Sequence, residues 1–359
     1  MLLHTKLNRC YTRIVRWCSQ SVAESYIKKS VFISRSNDIY TNLALEDWIY
    51  RNTDLNNHHI LMLWQNEPCV VIGRHQNPWL EANVSELPFI TDRGVQLARR
   101  DSGGGTVFHD LGNLNLTFFT PKDRYNRRYN LEIITKAIFR KFGIQVDISP
   151  REDLTLRVNV NEADLRRALR RPEVDIKTNA TKSIRSEIAN LCDEDPNISV
   201  NSLMNAIGWE YMRTPALAVQ DGGLEQANRQ KEFKLVDPTD VWYPGIGDIR
   251  TRYSSWDWRY GKTPKFNISK SFAVPNDLAS KLGTPGDLKV VVVIENGKIN
   301  NISVAFPSGH AENVNNVADL QGQKFSEEAL NRLESVLSNL VDDRDRFVTK
   351  CLKQIISSV

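Results

Sequence analysis

Nowhere in the 359 residues does an apolar run approach the ~20 positions a membrane span requires, so no helix of this chain is expected to cross a bilayer. Cysteine is sparse too. Cys10, Cys18, Cys69, Cys192 and Cys351 are scattered, odd in number and never spaced as C-x-x-C. That pattern argues for reduced thiols and excludes a disulfide framework or a zinc site, so no metal ligand set is expected. Charge of one sign is also short. The net charge is only +4, and part of it sits in the first residues, which leaves little support for a nucleic-acid surface. Internal repeats and low-complexity tracts are lacking. With 41% apolar and 25% charged residues, what remains is an ordinary globular chain long enough for two domains.

One further absence is informative. Residues 1–23 contain no acidic side chain but four basic ones, Lys6, Arg9, Arg13 and Arg16, spaced three or four apart. A helix would gather them on one face, with Leu3, Leu7, Ile14 and Trp17 largely elsewhere. This amphipathic, acid-free character is that of a mitochondrial presequence, and no continuous apolar stretch supports a secretory signal.

Beyond it, Val31-Phe32-Ile33 reads as a strand, and Asn37 or Asp38 can cap a helix that buries Leu43, Leu45, Trp48 and Ile49. Residues 60–64 and 69–73 are two apolar runs joined by Gln-Asn-Glu-Pro, which predicts a hairpin. Residues 114–118 alternate as a half-buried strand. Leu131, Ile134, Ala137, Ile138 and Phe142 keep helical spacing up to Gly143, a good C-cap. Helices are predicted after Asn161 and from Ser199. Near Pro244-Gly245 the composition changes. Two strands flanking Asn296-Gly297 carry a strong hairpin signal, and Ser326 is placed to cap an amphipathic helix through Leu330, Leu333, Leu337 and Leu340. Strands and helices mix without a regular βαβ rhythm, so the expected class is α+β with a mixed sheet.

The segment Arg99-Arg100-Asp101-Ser102-Gly103-Gly104-Gly105-Thr106-Val107-Phe108-His109-Asp110 carries the chemistry. Three glycines free the backbone to bring N–H groups close to an anion, and two arginines before them can hold a phosphate or carboxylate. No Gly-Lys-Ser/Thr follows, so this is not a Walker A loop. The resumed strand from Thr106 anchors the cradle on a sheet.

Extended through Asn115, the run from Arg99 closely resembles the signature of the lipoate–protein ligase and lipoyltransferase family. The segments Leu63-Trp64-Gln65-Asn66, Val71-Ile72-Gly73-Arg74-His75-Gln76-Asn77-Pro78-Trp79 and Lys182-Ser183-Ile184-Arg185-Ser186 also resemble it, as does Trp256-Asp257-Trp258-Arg259-Tyr260-Gly261-Lys262-Thr263-Pro264. The resemblance runs in family order from about Val31 onward. It implies a biotin/lipoate ligase-like catalytic domain at 24–250, after a presequence at 1–23, and a small α+β accessory domain at 251–359. It also implies protein lipoylation in the mitochondrial matrix: a lipoyl group is passed to a lysine of an acceptor from lipoyl-AMP, which is either made from lipoate with ATP and Mg or taken preformed, with a lipoyl donor protein as a further alternative. The implied acceptors are lipoyl domains of 2-oxoacid dehydrogenase complexes and the glycine cleavage H-protein. A monomer is expected.

On that resemblance Arg100 grips the adenylate phosphate. Ser102, Gly103 and Gly104 shape the loop, the backbone N–H groups of Gly105, Thr106, Val107 and Phe108 line the phosphate's path, and Arg74 borders the lipoyl pocket. The nucleophile belongs to the acceptor, so His109 is read as structural rather than as acid or base. The clusters Arg124, Arg127, Arg128 and Arg166, Arg167, Arg170, Arg171 are read as solvated faces, with docking of acidic acceptors as the alternative.

The sequence departs from the family at one place. Glu152-Asp153-Leu154-Thr155-Leu156 matches one strand, and Arg157-Val158-Asn159-Val160-Asn161 follows at once as the end of a later one. A Gly-Lys-Lys-Ile-Ser-Gly-type hairpin, a helix and part of a strand are missing between them, and with them the lysine expected to contact both the lipoyl carbonyl and the phosphate. The clean join has the form of a skipped exon or a faulty gene model; a truly shortened protein is the alternative. A non-catalytic protein that binds the adenylate or the acceptor without transfer is the competing function.

Overall fold

The computed structural model describes residues 27–149, 156–171, 174–184, 188–218, 221–229, 233–282, 286–307, 320–326, 329, 331, 333 and 342–358. The expected presequence, residues 152–155, Arg185, Ser186, and Leu330, Leu337 and Leu340 lie outside the described residues.

The chain opens with β1 (Lys28–Ser34), α1 (Ile39–Asn52), β2 (His58–Trp64), β3 (Cys69–Ile72) and the single turn α2 (Pro78–Glu81). Next come β4 (Gln96–Arg99), β5 (Val107–His109), β6 (Asn115–Phe119), α3 (Arg127–Phe142), β7 (Leu156–Arg157), α4 (Glu162–Ala168) and β8 (Asp175–Thr178). They are followed by β9 (Ala189–Asn190), α5 (Leu191–Glu194), α6 (Val200–Arg213), α7 (Gly223–Arg229), β10 (Phe233–Val236), α8 (Ile246–Ser254) and α9 (Trp256–Arg259). The last part holds β11 (Phe266–Ala273), α10 (Asn276–Leu282), β12 (Asp287–Glu295), β13 (Lys298–Ala305) and a C-terminal helix, Asp343–Ser357.

The first sheet has the order β10-β1-β2-β6 and is mixed: β1 runs parallel to β10 and β2, while β6 is antiparallel to β2. The alternation of each strand divides its side chains between two cores. Ile60, Met62 and Trp64 face α1 and α8; Leu61 and Leu63 face α3 and α6. The helix ends follow the predicted signals. Asp38 caps α1 by accepting from Thr41 N at 3.0 Å, Ser199 and Ser202 form a capping box on α6, and Gly143 ends α3 at φ 72°.

The hairpin expected from residues 60–73 is not formed. β2 belongs to the first sheet, whereas β3 is the centre of a second one of order β4-β3-β5, parallel to β4 and antiparallel to β5. Almost all of both runs is buried, so each satisfies its ladder with two neighbours of its own sheet. The Gln-Asn-Glu-Pro link carries the chain from sheet to sheet, pinned by the buried Asn66, which accepts from Asn42 Nδ2 at 3.0 Å.

The expected Asn-Gly hairpin does form. Asn296 and Gly297 both have positive φ, 51° and 71°, and join β12 to β13. These strands, β11 and β8 make a third sheet of order β13-β12-β11-β8. β8 comes from the middle of the chain, so this C-terminal sheet is completed by residues 175–178. Trp79 ties the two parts from the other side, with its ring 5.3 Å from Tyr260 and Phe266 and 5.4 Å from Phe325. The C-terminal helix, which buries Val348, Leu352 and Ile355, had no clear signal in the sequence.

At the join, Leu156 and Arg157 form a short parallel pair with Ala189 and Asn190. β6 is left as the edge of the first sheet among the described residues, with Leu116 and Phe118 only half-buried.

Candidate functional site

β4 and β5 flank β3, so the loop between them must pass over the end of β3. This places the glycine run directly above Gly73. A Cβ on Gly73 would stand 2.3 Å from Gly104 O, so only glycine admits the loop this close. Two backbone bonds zip the approach: Arg100 N to Ile72 O at 3.0 Å and Arg74 N to Ser102 O at 2.9 Å. Gly104 itself has φ 96°, a conformation unfavourable to other residues.

The two arginines of the motif have different positions and partners. Arg99 is fully buried and binds only backbone carbonyls and one hydroxyl. It donates to Arg74 O at 2.9 Å, Gln76 O at 2.8 Å, Trp258 O at 3.0 Å, Arg259 O at 2.8 Å and Thr263 Oγ1 at 2.9 Å. Trp258 Nε1 returns a bond to Arg99 O at 2.7 Å. Arg99 is therefore a strut joining the 73–76 segment to α9 and is not available to an anion. Burial pushes its guanidinium down to about 10, still charged at neutral pH.

Arg100 lies beneath the glycine loop. It donates to Gly103 O at 2.8 Å, Gly105 O at 2.7 Å and Val71 O at 3.2 Å. None of these partners is anionic. The acid whose charge acts on it is Glu46, whose carboxyl pKa burial raises despite a bond from Thr117 Oγ1 at 2.9 Å. A positive charge thus sits under an exposed loop without a directly bonded carboxylate. Ser102, Gly103, Gly104 and Val107 are exposed, Gly105 and Thr106 half-buried, and Phe108 buried. Arg74 is exposed and paired with Asp101 at 2.7 Å.

What braces this loop was less legible in the sequence. Gln76, fully buried, accepts from Gly73 N at 2.8 Å and Thr106 Oγ1 at 2.9 Å, and donates to Ser183 Oγ at 2.9 Å. Ser183 Oγ also accepts from Thr106 N at 2.8 Å, and Ser183 N donates to the buried Glu81 at 3.1 Å. The Thr106 N–H is therefore already engaged, whereas Ser102, Gly103 and Gly104 before it are exposed. Gln76 and Ser183 lie within segments of the motif; their convergence on Thr106 required the fold.

His109 is buried and accepts from Asn66 Nδ2 at 3.0 Å through Nδ1, its ring 6.2 Å from Trp64. Burial, with the nearby charges of Arg157 and Arg100, drives its pKa down to about 3. A ring so firmly neutral is a poor proton shuttle, in keeping with a structural role. On the same face of β6 as Thr117, Asn115 Nδ2 is buried without a partner, an unused donor on the residue paired with Trp64. Lys177 and Lys182 are exposed, so neither lysine adds a buried charge to the cradle.

The chain is 35% identical over 338 residues to human mitochondrial lipoyl amidotransferase, covering 86% of this chain and 84% of the relative. It belongs to the lipoate–protein ligase and lipoyltransferase family. The lipoate-protein ligase A of Psychrobacter cryohalolentis is 35% identical over 263 residues, covering 67% of this chain and 74% of that protein. The lipoyl protein ligase A/B catalytic domain matches residues 38–157, so the match ends at the join. The family fold is also seen in the crystal structure of Plasmodium falciparum LipL1 in complex with lipoate, at 22% identity and a TM-score of 0.53, covering 91% of this chain and 99% of that one. The curated relatives are enzymes of the transferase and ligase classes.

Proposed function

We propose that this protein transfers a lipoyl group from lipoyl-AMP to a lysine of lipoyl-domain proteins, and that it works in the mitochondrial matrix. The acceptors would be the acyltransferase subunits of 2-oxoacid dehydrogenase complexes and the glycine cleavage H-protein. The observation that carries this reading is the guanidinium of Arg100 held under an exposed glycine loop by neutral carbonyls alone. Such a charge can be recruited by an adenylate phosphate without first breaking an ion pair. The proposed binding residues are Arg100, Ser102, Gly103, Gly104, Gly105, Thr106, Val107 and Phe108, with Arg74 at the lipoyl pocket.

In the transfer, the neutral acceptor amine attacks the acyl carbon, the bond to the phosphate oxygen breaks, AMP leaves with that electron pair, and the nitrogen gives up one proton to water to leave the amide. Arg100 stabilises the departing phosphate, and Trp64, Thr117 and Asn115 lie on the neighbouring sheet face where the acyl chain would run. Activation of lipoate with ATP would precede this step. Among the described residues no three His, Cys, Asp or Glu side chains converge on a cation, so Mg would enter bound to the nucleotide phosphates.

A second reading follows from the join. With the lysine hairpin missing and no lysine in its place, the chain keeps a binding cradle and lacks one donor at the reacting carbonyl. The deciding experiment supplies purified protein with lipoyl-AMP and a lipoyl domain and follows the acceptor mass. Modification at a rate above the protein-free background supports transfer; tight lipoyl-AMP binding with no modification supports a non-catalytic binder.

A further inference from the structure

A polar cleft lies between the link from α9 to β11 and the turn that joins β12 to β13. Its volume is about 940 Å³. Lys262 and Lys265 stand on the first wall and Lys298 on the second, all three exposed. Both walls are fixed in place. Thr263, which follows Lys262, is buried and accepts from Arg99 Nη2 at 2.9 Å. The turn is pinned by Phe325 N, which donates to Gly297 O at 2.8 Å, and by Ile299 N, which donates to Gln323 O at 2.9 Å. A Cβ on Gly297 would stand 2.8 Å from the Trp256 ring, so the turn is seated directly against α9.

The charges of this cleft do not cancel. Lys265 Nζ is 3.6 Å from Glu295 Oε2, which also accepts from Asn300 Nδ2 at 3.2 Å. Lys262 and Lys298 differ: among the described residues neither makes an ion pair. Asp257 is the other acid of the lining, exposed, and it is likewise unpaired among the described residues. Lys324, joined to Lys298 by a backbone bridge, brings a further ammonium, 5.1 Å from the Trp256 ring centroid. Four lysines thus gather around two carboxylates, and a concave site with an excess of one sign concentrates the opposite one.

Apolar surface is scarce here, since Ile299 is buried and Pro264 half-buried, so an acyl chain or an aromatic ring finds little to pack against. Neutral donors are present instead: the amides of Asn296 and Gln321 are on exposed residues. A lysine ammonium is a compact point charge suited to phosphate oxygens, and the concave shape fits a small molecule better than the face of a folded protein. One phosphoryl group can neutralise one wall, whereas two linked groups can serve both. We propose that this cleft binds a compact anion with two or more linked phosphoryl groups, one end on Lys262 and the other on Lys298. The site is separate from the cradle and does not depend on the transfer reading. Through Thr263, an occupant would brace the strut that Arg99 forms.

The test titrates the full chain carrying Arg100→Ala, so that the cradle's phosphate contact does not contribute, and reads binding by calorimetry. Diphosphate is expected to bind one per chain, and orthophosphate at least tenfold more weakly. Adding Lys262→Gln or Lys298→Gln should each weaken diphosphate about tenfold, the scale of one charged hydrogen bond. Lys289→Gln, at an exposed lysine of β12 outside the lining, should change nothing. ADP binding tighter than diphosphate would assign the phosphoryl groups to a nucleotide, and equal or weaker binding to an inorganic anion; both support the site. Diphosphate binding that is absent from the Arg100→Ala chain, or unaltered by both Lys262→Gln and Lys298→Gln, would overturn the proposal. So would a polyglutamate peptide binding more tightly than diphosphate, which would make the cleft a face for an acidic protein. Amide shifts in the unsubstituted chain give a check without these variants: diphosphate should move Lys262, Lys265, Asn296 and Lys298, and shifts confined to residues 103–106 would refute the site.

Discussion

Gly73→Ala tests the cradle through its floor, at a residue outside the motif's glycine run. The added methyl would lie 2.3 Å from Gly104 O, where ordinary contact begins at 3.4 Å. The obstacle is backbone, so it cannot rotate away as a side-chain tip could. The Gly104 peptide must therefore lift by about 1 Å, a displacement of a positioning loop that can cost roughly 10²-fold in rate. Lifting it also pulls the Gly103 and Gly105 carbonyls away from the Arg100 guanidinium. The exposed loop can yield outward, so the global cost should stay near the ~1 kcal/mol of mild overpacking. Binding of a non-hydrolysable lipoyl-AMP mimic, measured by calorimetry, should weaken at least tenfold while thermal unfolding moves by only a few degrees. Unchanged affinity in a folded Gly73→Ala protein would show that the ligand is not held by this loop, and the assignment of Arg100 would fall with it.

Other consequences are as direct. Arg100→Ala should weaken the same mimic tenfold or more, about the 1.4 kcal/mol scale of one lost charged contact, and an unchanged isotherm would rule that contact out. Arg99→Met should act on stability instead: it strands several buried carbonyls, each unsatisfied group costing ~1–3 kcal/mol, so the denaturation midpoint should fall sharply. Acid should destabilise the protein from an early point. His109 has a folded pKa near 3, and His58 and His59 near 4, against 6.5 for the free side chain. The unfolded chain then binds more protons below pH 6.5, so stability present above that pH is lost as pH falls toward 3. His109→Gln should flatten the slope, and a stability curve level from pH 7 to 4 would contradict the burial argument. Inserting a Gly-Lys-Lys-Ile-Ser-Gly hairpin, helix and strand between Leu156 and Arg157 should speed lipoyl transfer by about 10²–10³, the usual worth of one preorganised donor; equal rates would mean that another group supplies it. A fusion of residues 1–30 to a reporter should enter mitochondria, and diffuse cytosolic signal unaltered by neutralising Arg9, Arg13 and Arg16 would argue against a presequence.

Local chemistry wrote much of the fold into the sequence. Asp38, Ser199 and Gly143 act on backbone groups within a few residues, so their caps could be read directly. Asn296-Gly297 likewise announced its hairpin because both residues tolerate positive φ. The glycine run and Arg100 were legible as an anion cradle, since that property depends on adjacent residues. Partner choice was not. The spacing of residues 60–64 and 69–73 is what a hairpin would have, yet pairing of fully buried strands is set by which other strands compete for each edge. The same limit separated Arg99 from Arg100. In sequence they are neighbouring guanidinium groups with equal claims on a phosphate; alternation along β4 turns Arg99 into the protein, where Trp258, Arg259 and Thr263, some 160 residues later, consume its donors. Arg157 is the converse case. The sequence marked it only as the residue after a break, and the fold buried it beside Asp110 and His109. Short-range hydrogen bonds and backbone freedom are properties of a sequence. Burial, and so the cost or use of a charge, exists only once distant elements have closed around it.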